Sequence, residues 1–366
     1  MSKIAMIADC HWGVPGRLHD ILWASKVVRG YCQRAEIDTV WVLGDLLHDR
    51  SAVELDVLNT LYDFLADVRS LGQNWYAFPG NHDMFLKHSW ENNALRPLRH
   101  LITVVDRVSR VEMDGRRFFV LPFIHLESSY MRVLRRLEEQ YQDGDVLLTH
   151  IGVRGATLNT CFLLKDWSFV NFEESKFRRV YTGHFHSRQA INQQVYYPGS
   201  LIPFKFDEGD VEHGFYVLDL ETMEHEFVNI WEWGARLLPD EPAPPQYYTL
   251  LDEQLEDIEP HIVHNNMIRV AHQRDLGQDQ RDQIRDRLVG LGGKAVRWLT
   301  LKQDAPATTE RPEETAVTAG DPGELFEWWL QQDVEGIKNL DVSLLRKLGA
   351  EVRHEGDERY VYAESD

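Results

Sequence analysis

A layered α/β fold carrying a small β-α-β unit and C-terminal helices is the architecture this chain predicts, and three observations predict it. Short apolar strands alternate with helical stretches between residues 3 and 78. From residue 178 the pattern is mostly β and closes near residue 234. Two breaks, PDEPAPPQ (239–246) and QDAPATTERPEETAVTAGDPG (303–323), then set off the remaining segments. At 366 residues the chain exceeds the usual size of one domain, so a large domain with smaller additions is expected.

The elements come in order. KIAMIA (3–8) and TVWVL (39–43) read as buried strands, and residues 18–36 between them space Leu, Ile, Val and Ala at helical intervals. A second helix is expected over 52–71, stopped by Gly72, and a third strand over 75–78. Strands are expected at 101–105, 108–113 and 116–121, the last two joined by Asp114-Gly115, residues suited to a tight hairpin turn. An amphipathic helix over 126–142 precedes strands at 145–149 and 178–182, and YVLDL with EFVNI forms a hairpin.

Beyond the first break, MIRVAHQ, a helix over 279–291 and AVRWLTL form the β-α-β unit. Residues 303–323 hold too few large apolar groups to pack and read as a flexible linker. ELFEWWLQQDVEGIKNLDVSLLRKLG then resumes helical spacing. The expected divisions are therefore 1–234, 235–302, 303–323 and 324–366.

Composition restricts the function classes. A hydrophobic share of 43% is that of a globular protein, and no apolar run approaches the roughly 18 residues of a membrane span. The start, MSKIAMIADCHWG, lacks the apolar run and cleavage site of a secretory signal, so a cytoplasmic protein with no membrane partner is expected. Cys10, Cys32 and Cys161 fit reduced thiols and offer no C-x-x-C spacing. The formal charge of −20 is unevenly placed: residues 1–200 hold 23 Lys+Arg and 23 Asp+Glu, residues 201–366 hold 16 and 36. A neutral first part leaves polyanion binding open.

The chemistry-bearing residues sit where strands end. Asp9-x-His11 follows KIAMIA, Gly44-Asp45 follows TVWVL, Gly80-Asn81-His82-Asp83 follows WYAFP, His150 closes DVLLT, and His184-x-His186 follows the 178–182 strand. On an extended backbone residues two apart share a side, so Asp9 and His11 converge while Cys10 points away. Singly, D-x-H reads as a capping pair, GD as a helix N-cap and His150 as a core histidine. Five strands delivering such residues to one edge, where α/β folds bind ligands, read as a site. Carboxylates, imidazoles and one carboxamide without thiolate suit Mn²⁺, Fe²⁺ or Zn²⁺. Seven such side chains exceed one tetrahedral ion and suit two ions about 3.5–4 Å apart sharing a carboxylate, the arrangement of phosphate-ester hydrolysis.

In this order D-x-H, GD, GNHD, a lone H and GHxH resemble the calcineurin-like metallophosphoesterases over residues 4 to about 230. DCHWG, GDLLHDR with His48 three residues after Asp45, and YPGSLIPFKFDEGDVEHGFYVLDL resemble more narrowly the SbcD-type recombination nucleases (the Mre-eleven group), including phage subunits that work with an SMC-like ATPase. Trp12 stands where leucine is commoner, an apolar exchange that leaves every ligand in place. The resemblance implies a metallophosphoesterase β-sandwich flanked by helices, with 235–302 as a small α+β capping domain.

It further implies one ion held by Asp9, His11, Asp45 and His186 and another held by Asp45, Asn81, His150 and His184, with Mn²⁺ the expected metal. His82 would protonate the leaving oxygen or steady the phosphate, Asp83 would orient that imidazole, and His48 would approach the substrate. The implied activity is a DNA exonuclease, with endonuclease action open, at double-strand ends and with little sequence preference. The implied setting is recombination and repair. No G-x-x-x-x-G-K-[ST] occurs, so an SbcC-like ATPase would be a separate chain, docked on the C-terminal helices, and a homodimer is expected. The alternatives are a general metallophosphatase or cyclic-nucleotide phosphodiesterase, and a non-catalytic DNA- or partner-binding scaffold.

Overall fold

The central strands of the fold each serve two cores, and this explains why they read as unbroken apolar runs rather than as alternating ones. In the computed structural model, residues 2–86, 89–157, 170–209, 211–272 and 276–300 are described, and they fall in one compact unit spanning residues 1–302. The expected linker 303–323 and helices within 324–366 lie outside the described residues, as does Cys161.

The order is β1 (Lys3–Ile7), α1 (Leu18–Arg34), β2 (Thr39–Val42), α2 (Leu55–Ser70), β3 (Asn74–Ala77), β4 (Thr103–Val104), β5 (Ser109–Met113), β6 (Arg116–Leu121), α3 (Glu127–Glu138), β7 (Val146–His150), β8 (Val180–Gly183), β9 (Gln189–Ile191), β10 (Val195–Tyr197), β11 (Gly214–Asp219) and β12 (His225–Asn229). Next come α4 (Ile230–Leu237), β13 (Tyr247–Leu251), α5 (Pro260–Val263), β14 (Met267–His272), α6 (Gln278–Gly290) and β15 (Ala295–Thr300).

Two six-stranded sheets, β12-β11-β1-β2-β3-β4 and β5-β6-β7-β8-β10-β9, stack face to face. Between them lie Ile4, Met6, Trp41, Leu43 and Phe78 from the first sheet and Phe118, Val120, Val146, Leu148 and Tyr181 from the second. The intervening residues face outward: Ala5, Ile7, Val40 and Val42 pack with α1 and α2, while Phe119, Leu121 and Leu147 pack with Tyr130 and Leu134 of α3. The predicted layered α/β fold, with two multi-stranded sheets flanked by helices, is what the molecule adopts. Strands β1 to β4 are parallel, as are β6, β7, β8 and β10, so several carboxyl ends emerge at one edge.

Where the elements differ from expectation, local chemistry explains it. Helix α3 stops at Glu138 rather than at residue 142, because Asp145 takes the Gln142 N–H (2.7 Å) and pairs with Arg117. Helix α4 runs across the expected division after residue 234; Asn229 caps it by accepting from the Trp231 and Glu232 N–H groups at 3.0 and 3.3 Å. Its aromatic face docks on α1, with the Trp231 ring 5.8 Å from Trp23 and the Trp233 ring 4.6 Å from Tyr31. A third, parallel sheet, β13-β14-β15, holds the expected β-α-β unit plus β13, which follows the proline-rich break.

Gly234 is the close point of the α1–α4 contact, since a Cβ there would lie 2.0 Å from Cη2 of the buried Trp23. Gly234→Ala adds helix propensity of about 1 kcal/mol but overpacks at about 1–3 kcal/mol, and the second effect wins. Chemical denaturation should place the variant below the wild type.

Candidate metal centre

The first candidate ligands are presented by left-handed turns. Asp9, His11, Asp45 and His184 have φ of 50°, 51°, 52° and 106°. The side-sharing of Asp9 and His11 therefore does not arise from extended backbone, as their spacing suggested. The 9–12 turn is instead hydrogen-bonded to the turn after β2: Asp9 N–H to Gly44 O (3.2 Å), His11 N–H to Asp45 O (3.0 Å) and Trp12 N–H to Leu46 O (2.9 Å). Such conformations cost an L-residue about 1–3 kcal/mol each and persist where surroundings over-determine them. Cys10 enters the helix-side core, so the two neighbours face the site.

Glycines allow the close approach. A Cβ on Gly44 would lie 2.3 Å from His150 Nδ1, one on Gly80 2.2 Å from Asp45 Oδ1, and one on Gly183 2.5 Å from Leu43 O. No side chain fits at these positions.

All seven expected ligands meet at this edge. Asp9, His11 and His186 have ligand atoms within 4.8 Å of one another, and so do Asp9, Asp45 and His150. Asp45 Oδ2 lies 3.3 Å from His150 Nε2 and 3.9 Å from His11 Nε2, between the two groups. Asn81 Oδ1 lies 3.1 Å from His150 Nε2 and 2.9 Å from His184 Nδ1. The His184 N–H donates to Asp9 Oδ1 and Oδ2 at 3.0 and 3.1 Å.

The donor set fits cations. His150 Nδ1–H donates to Leu43 O (2.8 Å) and His186 Nδ1–H donates to Glu208 (2.9 Å). In the neutral form of either ring, Nε2 would turn a lone pair inward. There it faces other acceptors, Asn81 Oδ1 and Asp45 Oδ2 around His150, and His11 Nε2 at 3.0 Å from His186 Nε2. Acceptors crowded this closely call for positive charge between them. Burial pushes His184 down to about 3 and His11 well below the ordinary histidine value, leaving both neutral and able to ligate. Burial also opposes charge on Asp45, but the His150 charge and hydrogen bond outweigh it and hold the carboxylate well below its usual range. For His150 burial works downward, and the Asp45 charge prevails and lifts it to about 9.

Two further imidazoles border the ligands. The His82 ring lies 4.8 Å from His11 and stacks within 15° of His48 at 5.6 Å. Its Nδ1–H donates to His48 O (2.6 Å), which leaves Nε2 to carry or accept a proton. Asp83 does not orient this ring, contrary to the sequence expectation. It is fully buried and accepts from the N–H groups of Leu46 (3.3 Å), Leu47 (2.9 Å) and Gly80 (3.0 Å), tying GNHD to the turn after Asp45. The reason is geometric: the His48 carbonyl already occupies His82 Nδ1.

Glu208 and Phe204 were not singled out from sequence. Glu208, 2% exposed, accepts from the candidate ligand His186, and Phe204 packs 5.6 Å from both His11 and His186. The only signal was position within PFKFDEGD, downstream of GHFH; nothing in the residue types marks them.

Gly80→Ala is expected to displace Asp45 and weaken Mn²⁺ uptake by at least about tenfold, as losing a ligand's support does. Gly290→Ala, whose Cβ meets nothing within 4 Å, should leave uptake unchanged in isothermal titration.

Comparison with known proteins agrees with this chemistry. The family profile for Calcineurin-like phosphoesterase matches residues 2–188. The chain is 26% identical over 240 residues to "Putative phosphoesterase 078R" of Invertebrate iridescent virus 3, covering 62% of this chain and 65% of that protein. It is 24% identical over 216 residues to "Putative phosphoesterase 244L" of Invertebrate iridescent virus 6, covering 57% and 73%. It is 25% identical over 257 residues to a subunit of the nuclease SbcCD of Staphylococcus epidermidis, covering 60% and 66%. The chain thus spans about two thirds of the length of these relatives. With its stacked sheets, its edge of carboxylates and imidazoles and a matched profile over half its length, the chain belongs to the calcineurin-like phosphoesterases, enzymes that hydrolyse phosphoesters with divalent metals.

Proposed function

We propose that the chain is a DNA nuclease of SbcD type, hydrolysing phosphodiester bonds at double-strand ends as the nuclease subunit of a complex with an SMC-like ATPase. The observation that carries this reading is the pair of stacked imidazoles, His82 and His48, beside the ligand cluster. A phosphodiester must expel a sugar oxygen far more basic than a nitrophenolate, so a placed proton donor matters most for that substrate. The similarity to the SbcCD nuclease subunit, longer than the matched family profile, supports the same choice.

Asp9, His11, Asp45 and His186 would hold one ion, and Asp45, Asn81, His150 and His184 the other, with Mn²⁺ the proposed metal. When bound, the pair polarises the phosphoryl group and activates water for in-line attack. Asn81 supplies a neutral oxygen, which limits the negative charge facing the phosphate. As the P–O bond breaks, His82 Nε2 gives its proton to the departing oxygen, with Nδ1 held by the His48 carbonyl. His48, half-buried at the solvent side, steadies the phosphate.

Recognition would be of backbone phosphates and shape, with little sequence preference. Exposed Leu55 (76%) and Tyr62 (43%) on α2 support a homodimer formed through that helix and the 90–100 segment. Residues 324–366 are the proposed ATPase dock. Among the described residues no helix is long and apolar enough to cross a membrane.

Mn²⁺-loaded protein should degrade linear duplex DNA, and His82→Ala should lower that rate by about 10²–10⁴-fold while sparing Mn²⁺ binding. Turnover of p-nitrophenyl phosphate without DNA cleavage would move the reading to a general phosphatase. Deleting residues 322–366 should abolish ATPase association in a pull-down while leaving DNA cleavage by the isolated subunit; unchanged association refutes the dock.

A further inference from the structure

We propose that Glu208 is a positioning residue for His186, fixing the tautomer and ring direction with which that histidine presents Nε2 to the metal centre. The inference rests on the metal-centre reading and deepens it.

Glu208 is far from the ligand motifs in sequence, and a glutamate in FDEGD would ordinarily be a solvated residue. It is instead buried to 2% exposure, where an unpaired carboxylate is costly. Its partners account for the burial. Oε1 accepts from His186 Nδ1–H at 2.9 Å, Oε2 accepts from Phe204 N–H at 2.7 Å, and Lys205 Nζ stands 3.6 Å from Oε1. With the proton held on Nδ1, the lone pair of His186 lies on Nε2, the nitrogen that reaches the cluster beside His11.

The carboxylate is itself held in place. The Glu208 carbonyl accepts from His213 Nε2 (2.9 Å), and His213 in turn contacts Ser200 O through Nδ1 (2.9 Å). On the other side of the segment, Phe206 packs edge-on against Tyr247 of β13, with ring centres 5.0 Å apart, and Asp207 pairs with Arg269 of β14 at 3.0 Å. Residues 204–208 thus form a strap. Phe204 and Glu208 turn to the metal ligands, Phe206 and Asp207 to the three-stranded sheet. A carboxylate with both oxygens bonded and its backbone braced is built to hold a partner at a set angle, unlike a surface ion pair.

The test is Mn²⁺ titration into the full-length protein, followed calorimetrically. Wild type should show two binding steps. Glu208→Gln, of equal size and without the charge, should weaken one step by about 10–100-fold and leave the other. In a His186→Ala background the same exchange should change affinity less than about twofold, because contacting residues are not additive. Both steps intact in Glu208→Gln, or losses that simply add in the double variant, would overturn the proposal. The wild-type protein provides a reading that survives a variant that fails to fold. Imidazole ¹⁵N NMR of the metal-free chain should find His186 protonated on Nδ1, and an Nε2–H tautomer overturns the proposal. Wild type taking up no Mn²⁺ would instead defeat the metal-centre reading itself.

Discussion

A buried carboxylate, Asp45, is the constraint around which the rest is arranged. It is 2% exposed, and its Oδ2 lies between His11 on one side and His150 on the other. Keeping a negative charge there requires positive charge or donors from every direction, since burial alone opposes ionisation. The His82 backbone N–H supplies one donor at 2.8 Å to Oδ1, and the His150 ring faces Oδ2 through Nε2 at 3.3 Å. Gly80 must lack a side chain because Asp45 fills the space where a Cβ would sit. The positive φ at Asp45 and its neighbour Gly44 follows from the same need, for the chain must reverse at once on leaving β2. Strain, missing side chains and perturbed ionisation are one feature seen three ways.

The sandwich makes that constraint tolerable. Strands that contribute one face to the inter-sheet core and the other to a helix-side core are anchored on both faces, so their carboxyl ends are fixed relative to one another. The turns after β1 and β2 extend the inter-strand ladder past the strands themselves, through the bonds of Asp9, His11 and Trp12 to Gly44, Asp45 and Leu46. Asp83 joins the third strand's loop to the same ladder by accepting from Leu46 and Leu47. Donors from five strands therefore meet without depending on a flexible loop.

The strap of residues 204–208 links this edge to the small parallel sheet. Arg17, just before α1, touches both sides of the link. Its Nη1 donates to Tyr247 Oη at 2.5 Å, and its guanidinium lies 5.9 Å from the Phe204 ring that packs on His11 and His186. The three-stranded sheet is consequently packed against residues that contact His11 and His186 of the candidate cluster. Its contact with that edge runs through aromatic and ionic side chains rather than through shared strands.

The layered fold, the central strands, the α1 and α2 helices and the β5–β6 hairpin were legible in the sequence. Apolar periodicity reflects burial, and Asp114-Gly115 has the positive φ values, 46° and 74°, that its turn requires. The seven donors were legible for a related reason: aspartate, asparagine and histidine at the ends of apolar strands have no part in a core. Helix α4 was not, because Gly234 and its neighbouring aromatics gain their helical state from contact with Trp23 and Tyr31, at the far end of the chain. The true partners of Asp83 and the role of Glu208 were equally hidden. A carboxylate's type names what it can accept, while which N–H or imidazole comes within hydrogen-bonding reach is decided only when distant segments pack. Sequence by itself determined which chemistry was available and at which edge; tertiary structure alone decided the left-handed turns and the supporting partners, because those depend on contacts between segments that no local pattern encodes.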